Sequence, residues 1–200
     1  VSFGATKALK SCSFELFGNQ ITALMGDNGS GKSSLCWALQ GSGTRTSGAV
    51  SVLGQDPKDL SPQARLSLLA MVPQRAADLL FLQSLADELH ESDEFAGVHA
   101  GTTASIFQQL AGRIDTSIHP RDLSAGQQLA LVLALQLVKD APVLILDEPT
   151  RGLDYAAKRA LAKQLIALPT PVGIAGNHLT IANGLAGVAD SFTLLQGHDD

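Results

Sequence analysis

The chain has 200 residues, 45% of them hydrophobic and 4% aromatic, which is enough for one domain with a mostly aliphatic core, or one domain with a small lobe. Its net charge of -5 and pI of about 5.4 argue against a broad nucleic-acid surface, which needs clustered Lys and Arg. No apolar run approaches the roughly 18–20 residues of a membrane span. The two cysteines, Cys12 and Cys36, lack metal-ligand spacing, so we expect free thiols.

Short apolar runs and turn residues predict the elements of the first part of the chain. Alternating apolar residues at 13–17 predict a strand that turns at Gly18 and Asn19, as part of an antiparallel N-terminal β portion. The other predictions here are strands at 21–25, 49–53 and 70–72 and helices at 34–41 and 62–69.

In the middle of the chain, amphipathic helical segments joined by polar, Gly-containing links predict a helical subdomain, about residues 75–140, inserted in an α/β core. Its predicted helices are 79–91, 103–114 and 124–139. Beyond it, aliphatic runs predict strands at 143–146, 172–175 and 191–195 and a helix at 155–168. Because strands alternate with helices, we expect a mostly parallel sheet covered on both faces.

Four consecutive apolar residues, Leu79, Leu80, Phe81 and Leu82, lie in a segment otherwise predicted to be at the surface. They are either core of the helical subdomain or a docking groove for a partner helix. The sequence leaves both alternatives open.

Residues 26–33 read GDNGSGKS and fit G-x-x-x-x-G-K-[ST], the pattern of a phosphate-binding loop. Glycines let backbone N–H groups approach phosphate oxygens, and Lys32 reaches the phosphates as a point charge. The Ser33 hydroxyl is suited to bind Mg²⁺. The motif requires a strand before it and a helix after it, and the flanking segments predict both.

Two carboxylates, Asp147 and Glu148, follow the aliphatic residues at 143–146. Ligand sites in open α/β sheets lie at this carboxyl end of the strands. We expect Asp147 to hold Mg²⁺ through water and Glu148 to orient and polarise an attacking water.

The segment LSAGQ, residues 123–127, opens a long predicted helix. Ser124 can cap that helix, and the first-turn N–H groups then face outward toward an anion. Alone, the segment is more simply an ordinary helix cap. In sequence with the two other motifs, it indicates a second anion-binding helix end.

The order and spacing of these motifs resemble the ATP-binding domain of ABC transporters, over nearly all of residues 1–200. GDNGSGKS resembles the family's Walker A motif, LSAGQ its LSGGQ signature and VLILDEPT its Walker B motif. Gln74 resembles the Q-loop glutamine, Asp154 the D-loop aspartate and His178 the switch histidine. Phe3 lies about where the family has an adenine-stacking aromatic residue.

This resemblance implies a P-loop NTPase core, ATP hydrolysis as the activity, and ATP and Mg²⁺ as ligands. The implied catalytic residues are Glu148, His178 and Gln74, and the implied metal ligands are Ser33, Gln74 and Asp147. The implied ATP-binding residues are Phe3, Asn28, Gly29, Ser30, Gly31, Lys32, Ser33, Ser34, Ser124, Gly126 and Asp154.

The resemblance also implies partners. Two such domains, identical or sister, pack head to tail, so that Ser124 would serve the neighbour's nucleotide. ATP hydrolysis would drive a transmembrane transporter subunit, which implies that the chain is a peripheral protein on the cytoplasmic face of the cell membrane. No nucleic-acid partner is implied. Ala125 departs from the family's usual glycine and adds a methyl group near the expected γ-phosphate.

A finer resemblance concerns the transporter class. LLFLQSLADEL after Gln74 and PTRGLDYAAK after the Walker B motif are similar to ATPases of energy-coupling-factor importers, which take up vitamins or metal ions. The alternative is a soluble ABC-family ATPase outside transport. The short interval between Gln74 and Leu123 leaves no room for a long coiled-coil insertion, which weighs against that alternative.

Overall fold

The computed structural model describes residues 2–3, 6–7, 12–18, 20–167, 172–176 and 191–194, with the backbone alone at 2–3, 6–7 and 191–194. None of the described helices has the length and hydropathy needed to cross a bilayer. The strands are β1 (Ser2–Phe3), β2 (Thr6–Lys7), β3 (Ile21–Met25), β4 (Ala70–Val72), β5 (Leu144–Asp147), β6 (Val172–Gly176) and β7 (Ser191–Leu194). The helices are α1 (Lys32–Gln40), α2 (Pro62–Leu68), α3 (Leu85–Ala96), α4 (Thr102–Ala111), α5 (Ala125–Leu137) and α6 (Tyr155–Ile166), with 3₁₀ turns at Pro57–Asp59, Ala76–Leu79 and Pro120–Asp122.

Within the described residues, the main sheet is parallel and has the strand order β4-β5-β6-β3-β7. Strand β6 lies between β3 and β5, and its Val172 is opposite both Ile21 and Leu144. The carboxyl ends of β3 and β5 therefore lie at the same edge of the sheet, roughly 10 Å apart across one strand. The prediction of a mostly parallel sheet is confirmed, and the segments that follow β3 and β5 are brought side by side.

Successive side chains of each strand point to opposite faces of the sheet, and each face has its own hydrophobic cluster. On β5, Leu144 and Leu146 pack into the first cluster, whereas Ile145 packs into the second. The first cluster also contains buried side chains of α3, α4, α5 and α6, and the second contains those of α1 and α2. The sheet is thus covered by helices on both faces, as the alternation of strands and helices predicts.

The region predicted as a helical subdomain, residues 75–140, forms α3, α4 and α5. Side chains of α5 from Leu129 to Leu135 belong to the same cluster as the sheet, so the extent of a separate subdomain stays a prediction. Helix α3 begins at Leu85, later than predicted, because Ser84 caps it. The Ser84 hydroxyl accepts a hydrogen bond of 3.1 Å from the Asp87 N–H.

The apolar run at residues 79–82 is divided between core and surface. Leu80 is buried, and Leu79 and Leu82 are half-buried. The Phe81 side chain is 73% exposed. The core alternative therefore holds for Leu80, whereas Phe81 is exposed and its role as a docking residue stays a prediction.

Two predicted strands are absent from the described part of the chain. Residues 13–17 are not paired as a strand; their alternation arises because Phe14 and Leu16 pack inward while the intervening residues are exposed. Residues 49–53 form only an isolated bridge between Val52 and Gln55, because Leu53 has a φ of 49° and turns the chain. Among the described residues, the antiparallel N-terminal β portion consists of the short pair of β1 and β2.

Cys36 lies in the second cluster and is fully buried. Burial, and to a smaller extent the negative charge of Asp147, raises the pKa of the Cys36 thiol well above its ordinary value. A buried, protonated thiol packs as a small apolar side chain and is a poor nucleophile. Both Cys12 and Cys36 are free thiols, as expected.

Candidate phosphate-binding site

The loop at residues 26–33 connects the end of β3 to the start of α1. Gly29 and Gly31 have φ angles of 86° and 89°, in the left-handed region that favours glycine. Gly31 is the residue before α1, and it has no side chain that could bind the first-turn N–H groups of that helix. The loop therefore presents a helix N-terminus without a side-chain cap, which suits a phosphate group.

Lys32 is the charged centre of this loop and is buried, with 5% of its surface exposed. Its Nζ donates hydrogen bonds of 2.9 Å to the Gly26 carbonyl and 2.8 Å to the Asp27 carbonyl. An ammonium group has three N–H donors, so these two bonds leave one donor for a ligand. The Ser30 hydroxyl is also buried, and it has no hydrogen-bond partner in the described part of the chain.

Asp147, at the end of β5, is 1% exposed and lies near the Ser33 side chain of the phosphate loop. Burial raises the pKa of Asp147; the nearby Ser33 hydroxyl and the Lys32 charge oppose this effect, and the Glu148 charge adds to it. One carboxylate oxygen, Oδ1, is buried without a partner among the described residues. A buried carboxylate oxygen that lacks a partner and lies beside a serine hydroxyl fits a hard divalent cation such as Mg²⁺.

Glu148 follows Asp147 and adopts a left-handed backbone conformation, with φ of 47°. Pro149 disfavours the helical region for the residue before it, and the Glu148 N–H donates 2.8 Å to the Ala175 carbonyl on β6. This conformation costs about 1–2 kcal/mol for a non-glycine residue. Strained residues cluster at functional sites, and here one is the predicted catalytic carboxylate; Leu53 and Asp140 adopt the same conformation away from this site.

The side chains of Gln74 and Glu148 are in contact at the carboxyl edge of the sheet. The Gln74 Nε2 donates a hydrogen bond of 2.8 Å to the Glu148 Oε2. Gln74 lies just after β4, which is the neighbour of β5 in the sheet. The structure thus bonds Gln74 to Glu148 and places Ser33 near Asp147, which brings together four of the residues predicted from the sequence.

Ser124 and Gly126 lie elsewhere, at the start of α5. Ser124 forms a capping box with Gln127: its hydroxyl accepts from the Gln127 N–H at 3.3 Å, and its N–H donates to the Gln127 side chain at 2.9 Å. A Cβ on Gly126 would lie 3.6 Å from Ala157 and 3.9 Å from Leu153, on and beside α6. A cavity of about 210 Å³ between α4, α5 and α6 is lined in part by these residues.

The other residues predicted to form the site lie at separate places in the chain. Asp154 caps α6, since its side chain accepts a 2.8 Å bond from the Ala157 N–H. Asn28 is exposed, and Ser34 is half-buried in the first turn of α1. Phe3 lies on β1, but its side chain is not described, and His178 lies outside the described residues.

Thr150 and Glu88 are among the buried polar residues that the sequence reasoning missed. Thr150 is 2% exposed, and its hydroxyl has no partner among the described residues. Glu88 is buried on α3 and binds backbone N–H groups of the loop before that helix. Of these two residues, only Glu88 could have been predicted to be buried, because it lies three residues after Leu85 on the apolar side of an amphipathic helix.

The comparisons with known proteins agree on one family. The family model described as "ABC transporter" matches residues 9–151. An ABC transporter ATP-binding protein of Streptomyces avermitilis is 42% identical over 165 residues, which cover 82% of this chain and 29% of that protein. A similar protein of Streptomyces coelicolor is 40% identical over 156 residues, which cover 78% of this chain and 28% of that protein.

A solved structure of an ATP-binding subunit of an ABC transporter has the same fold, with a TM-score of 0.80 at 23% identity. The match covers 97% of this chain and 82% of that chain. The chain spans less than a third of the length of the two curated Streptomyces relatives.

Proposed function

The chain belongs to the ABC transporter family, and on that premise we propose that it binds ATP with Mg²⁺ and hydrolyses it to drive a membrane transporter. The observation that carries this proposal is the position of Asp147. It is a buried carboxylate near Ser33 of the phosphate loop, it has an oxygen without a described partner, and it immediately precedes Glu148. This arrangement unites a phosphate site, a cation site and a candidate base at one edge of the sheet.

ATP binding would use the loop's backbone and Lys32. The two Lys32 bonds to loop carbonyls hold its ammonium group beneath the loop, and the third donor is available to a phosphate oxygen. The open N-terminus of α1 adds backbone N–H groups and the positive end of the helix dipole. The remaining proposed loop contacts are Asn28, Gly29, Ser30, Gly31, Ser33 and Ser34.

Mg²⁺ would be held by oxygen atoms of Ser33, Asp147 and Gln74. Bound there together with the phosphates, the ion would neutralise the charge that develops on the transferred phosphoryl group. The ionised Asp147 is needed for this role, and the positive charge of Lys32 opposes the effect of burial on its pKa.

Hydrolysis would depend on Glu148 as the group that orients and polarises the attacking water. Its backbone conformation and the bond from Gln74 fix the direction of the carboxylate. Such preorganisation is a main source of catalysis in phosphoryl transfer, where the protein positions reactants and stabilises charge. His178 would contact the γ-phosphate, a role that rests on the family resemblance.

A second ATP-binding domain would complete the site. Ser124 is exposed at the N-terminus of α5, and Gly126 in the first turn of that helix lies beside α6 of its own chain. We propose that this helix end, with Gly126, meets the γ-phosphate bound by a partner domain packed head to tail. Asp154 would contribute at the same interface, and Phe3 would stack on adenine.

The transporter partner would be a transmembrane subunit docked near Phe81, with the chain peripheral on the cytoplasmic face of the membrane. The segments after Gln74 and after the Walker B motif support the finer proposal of an energy-coupling-factor-type importer of a vitamin or metal ion. A large exposed aromatic beside the loop of Gln74 is a suitable contact for a partner helix.

Purification of the chain from its native membrane tests this proposal. A tagged chain should recover a transmembrane subunit and a second ATP-binding domain, and the complex should hydrolyse ATP only with Mg²⁺. Recovery of the chain without a membrane subunit, or in an assembly that lacks ATP turnover, would refute the proposed function.

A further inference from the structure

A buried glutamate holds the backbone at the exposed Phe81. Glu88 is 7% exposed, and its Oε1 accepts hydrogen bonds from the Phe81 N–H at 2.6 Å and the Leu82 N–H at 2.8 Å. None of the described ion pairs includes Glu88. A buried carboxylate is costly unless it is hydrogen-bonded, and bonds to an ionised acceptor are the stronger kind. We call this pair of bonds the Glu88 clamp.

The clamp fixes one end of a loop whose other end reaches the catalytic carboxylate. At one end, Gln74 donates to Glu148. At the other, Leu80 is buried in the core and the next two N–H groups are bound by Glu88. The loop is therefore held at both ends, and the Phe81 side chain extends from a backbone that is fixed to α3.

We propose that Glu88 is a positioning residue that ties Phe81 to α3, so that a transmembrane helix docked on Phe81 moves α3 and the Gln74 loop together. This inference rests on the proposed function for the identity of the partner. Without the clamp, Leu80 would be the remaining attachment of this end of the loop to the core, and a force on Phe81 would reach α3 less directly.

The core gives this motion a route to the second anion site. Leu85 and Leu89 of α3 belong to the same hydrophobic cluster as α5, which begins directly after Ser124. Because packed side chains resist compression, displacement of α3 is transmitted to its neighbours. One docking contact would then act on both Glu148 and Ser124.

The clamp also prepares Phe81 for docking. An aromatic anchor on a mobile loop loses conformational freedom when it binds, and that loss weakens the complex. A backbone already fixed by two hydrogen bonds avoids most of this loss. The occupant that fits one exposed aromatic beside the Gln74 loop is a single amphipathic helix of the transmembrane subunit.

Three variants and one control isolate the clamp. Glu88→Ala and Glu88→Leu both remove the acceptor, and Leu keeps the buried volume if Ala lowers the unfolding midpoint too far. Glu88→Gln keeps the single oxygen that accepts both bonds. Glu91→Ala, an exposed glutamate on the same helix, is the matched control.

The first measurement is amide hydrogen exchange of the full chain without a partner. Exchange at Phe81 and Leu82 should become about tenfold faster in Glu88→Ala and Glu88→Leu, and should stay near the parent rate in Glu88→Gln and Glu91→Ala. Unchanged exchange in both acceptor-free variants would overturn the clamp, whatever the partner is.

The second measurement uses the native membrane complex rebuilt with each variant. Glu88→Leu should bind the transmembrane subunit about tenfold more weakly and lower the complex's turnover, with the KM for ATP unchanged. Glu88→Gln should restore both. Parent-like assembly and turnover despite faster exchange, or no rescue by Gln, would overturn the positioning role. A parent chain that recovers no membrane subunit would instead refute the proposed function.

Discussion

The side-chain amide of Gln74 donates a 2.8 Å hydrogen bond to the carboxylate of Glu148, a residue 74 positions away in the sequence. The bond links the loop after β4 to the carboxyl end of β5, the neighbouring strand. Any displacement of that loop would therefore change the direction of the Glu148 carboxylate. This gives a physical link between the surface at Phe81 and the proposed attacking water.

Removal of the Gln74 side chain should slow turnover, because Gln74 bonds to Glu148 and is also a proposed ligand of Mg²⁺. In Gln74→Ala, Glu148 loses a bond worth about 1.5–3 kcal/mol, and we expect turnover to fall at least about tenfold. Gln74→Glu should be worse, because a second carboxylate would face Glu148. Steady-state ATPase assays of the complex check this, with the exposed Gln63→Ala as a control. Equal turnover in Gln74→Ala and the parent would show that the bond has no role in catalysis.

Lys32→Ala should lose ATP binding and also some stability. The change removes the phosphate partner and leaves the Gly26 and Asp27 carbonyls without their donor. We expect at least about 100-fold weaker ATP binding, from loss of a charge-assisted bond in a buried site, and a cost of about 1–3 kcal/mol in unfolding free energy. Calorimetric titration and urea unfolding measure these, with the exposed Lys58→Ala as control. Parent-like ATP affinity in Lys32→Ala would place the nucleotide elsewhere.

Much of the fold was predictable because its signals are local. The aliphatic run before Asp147 gave β5 and the direction of its carboxyl end, and the glycines around Lys32 gave the turn before α1. Alternation at residues 13–17 predicted a strand that is not formed, because side chains can alternate in burial without backbone pairing.

The contacts of the site could not be predicted in the same way. The Gln74–Glu148 bond and the Glu88 clamp depend on tertiary placement of segments that carry no mutual signal in the sequence. The left-handed conformation of Glu148 had only one local sign, the proline after it, and that sign disfavours one region without selecting another.

The stability of the chain should depend on pH through Lys139. Burial lowers the pKa of Lys139 from its ordinary value of 10.5 to about 8. The folded chain therefore releases this proton near pH 8, whereas the unfolded chain keeps it until about pH 10.5. In that interval the unfolded state binds more protons, so the Lys139 contribution to stability rises with pH.

Lys139→Met isolates this effect. It should stabilise the chain by about 1–3 kcal/mol at pH 7, where the parent buries a charge beside Phe95 and Gln136. The advantage should shrink steadily between pH 8 and pH 10. Urea unfolding across this range measures it, with the exposed Lys163→Met as the matched control. A constant difference between Lys139→Met and the parent would contradict the assigned pKa.

Charge at Phe81 should release the membrane partner and preserve nucleotide binding. Phe81→Asp alters a side chain that is 73% exposed, so the core should stay intact, whereas Leu80→Asp should unfold the region. Co-purification with the transmembrane subunit and an ATP-binding assay on the same variants separate the two effects, with the exposed Phe17→Asp as a control. Joint loss of partner and nucleotide in Phe81→Asp would mean that this residue supports the core.

The most direct test of the account compares Glu148→Gln with the parent in the native complex, because Gln keeps the shape of the side chain and removes the carboxylate. ATP binding should stay within about threefold of the parent, and turnover should fall at least about 100-fold, the usual contribution of a positioned general base. The variant should also accumulate as an ATP-bound dimer with its partner domain. Turnover at the parent rate by Glu148→Gln would contradict the assignment of Glu148, and with it the proposed mechanism.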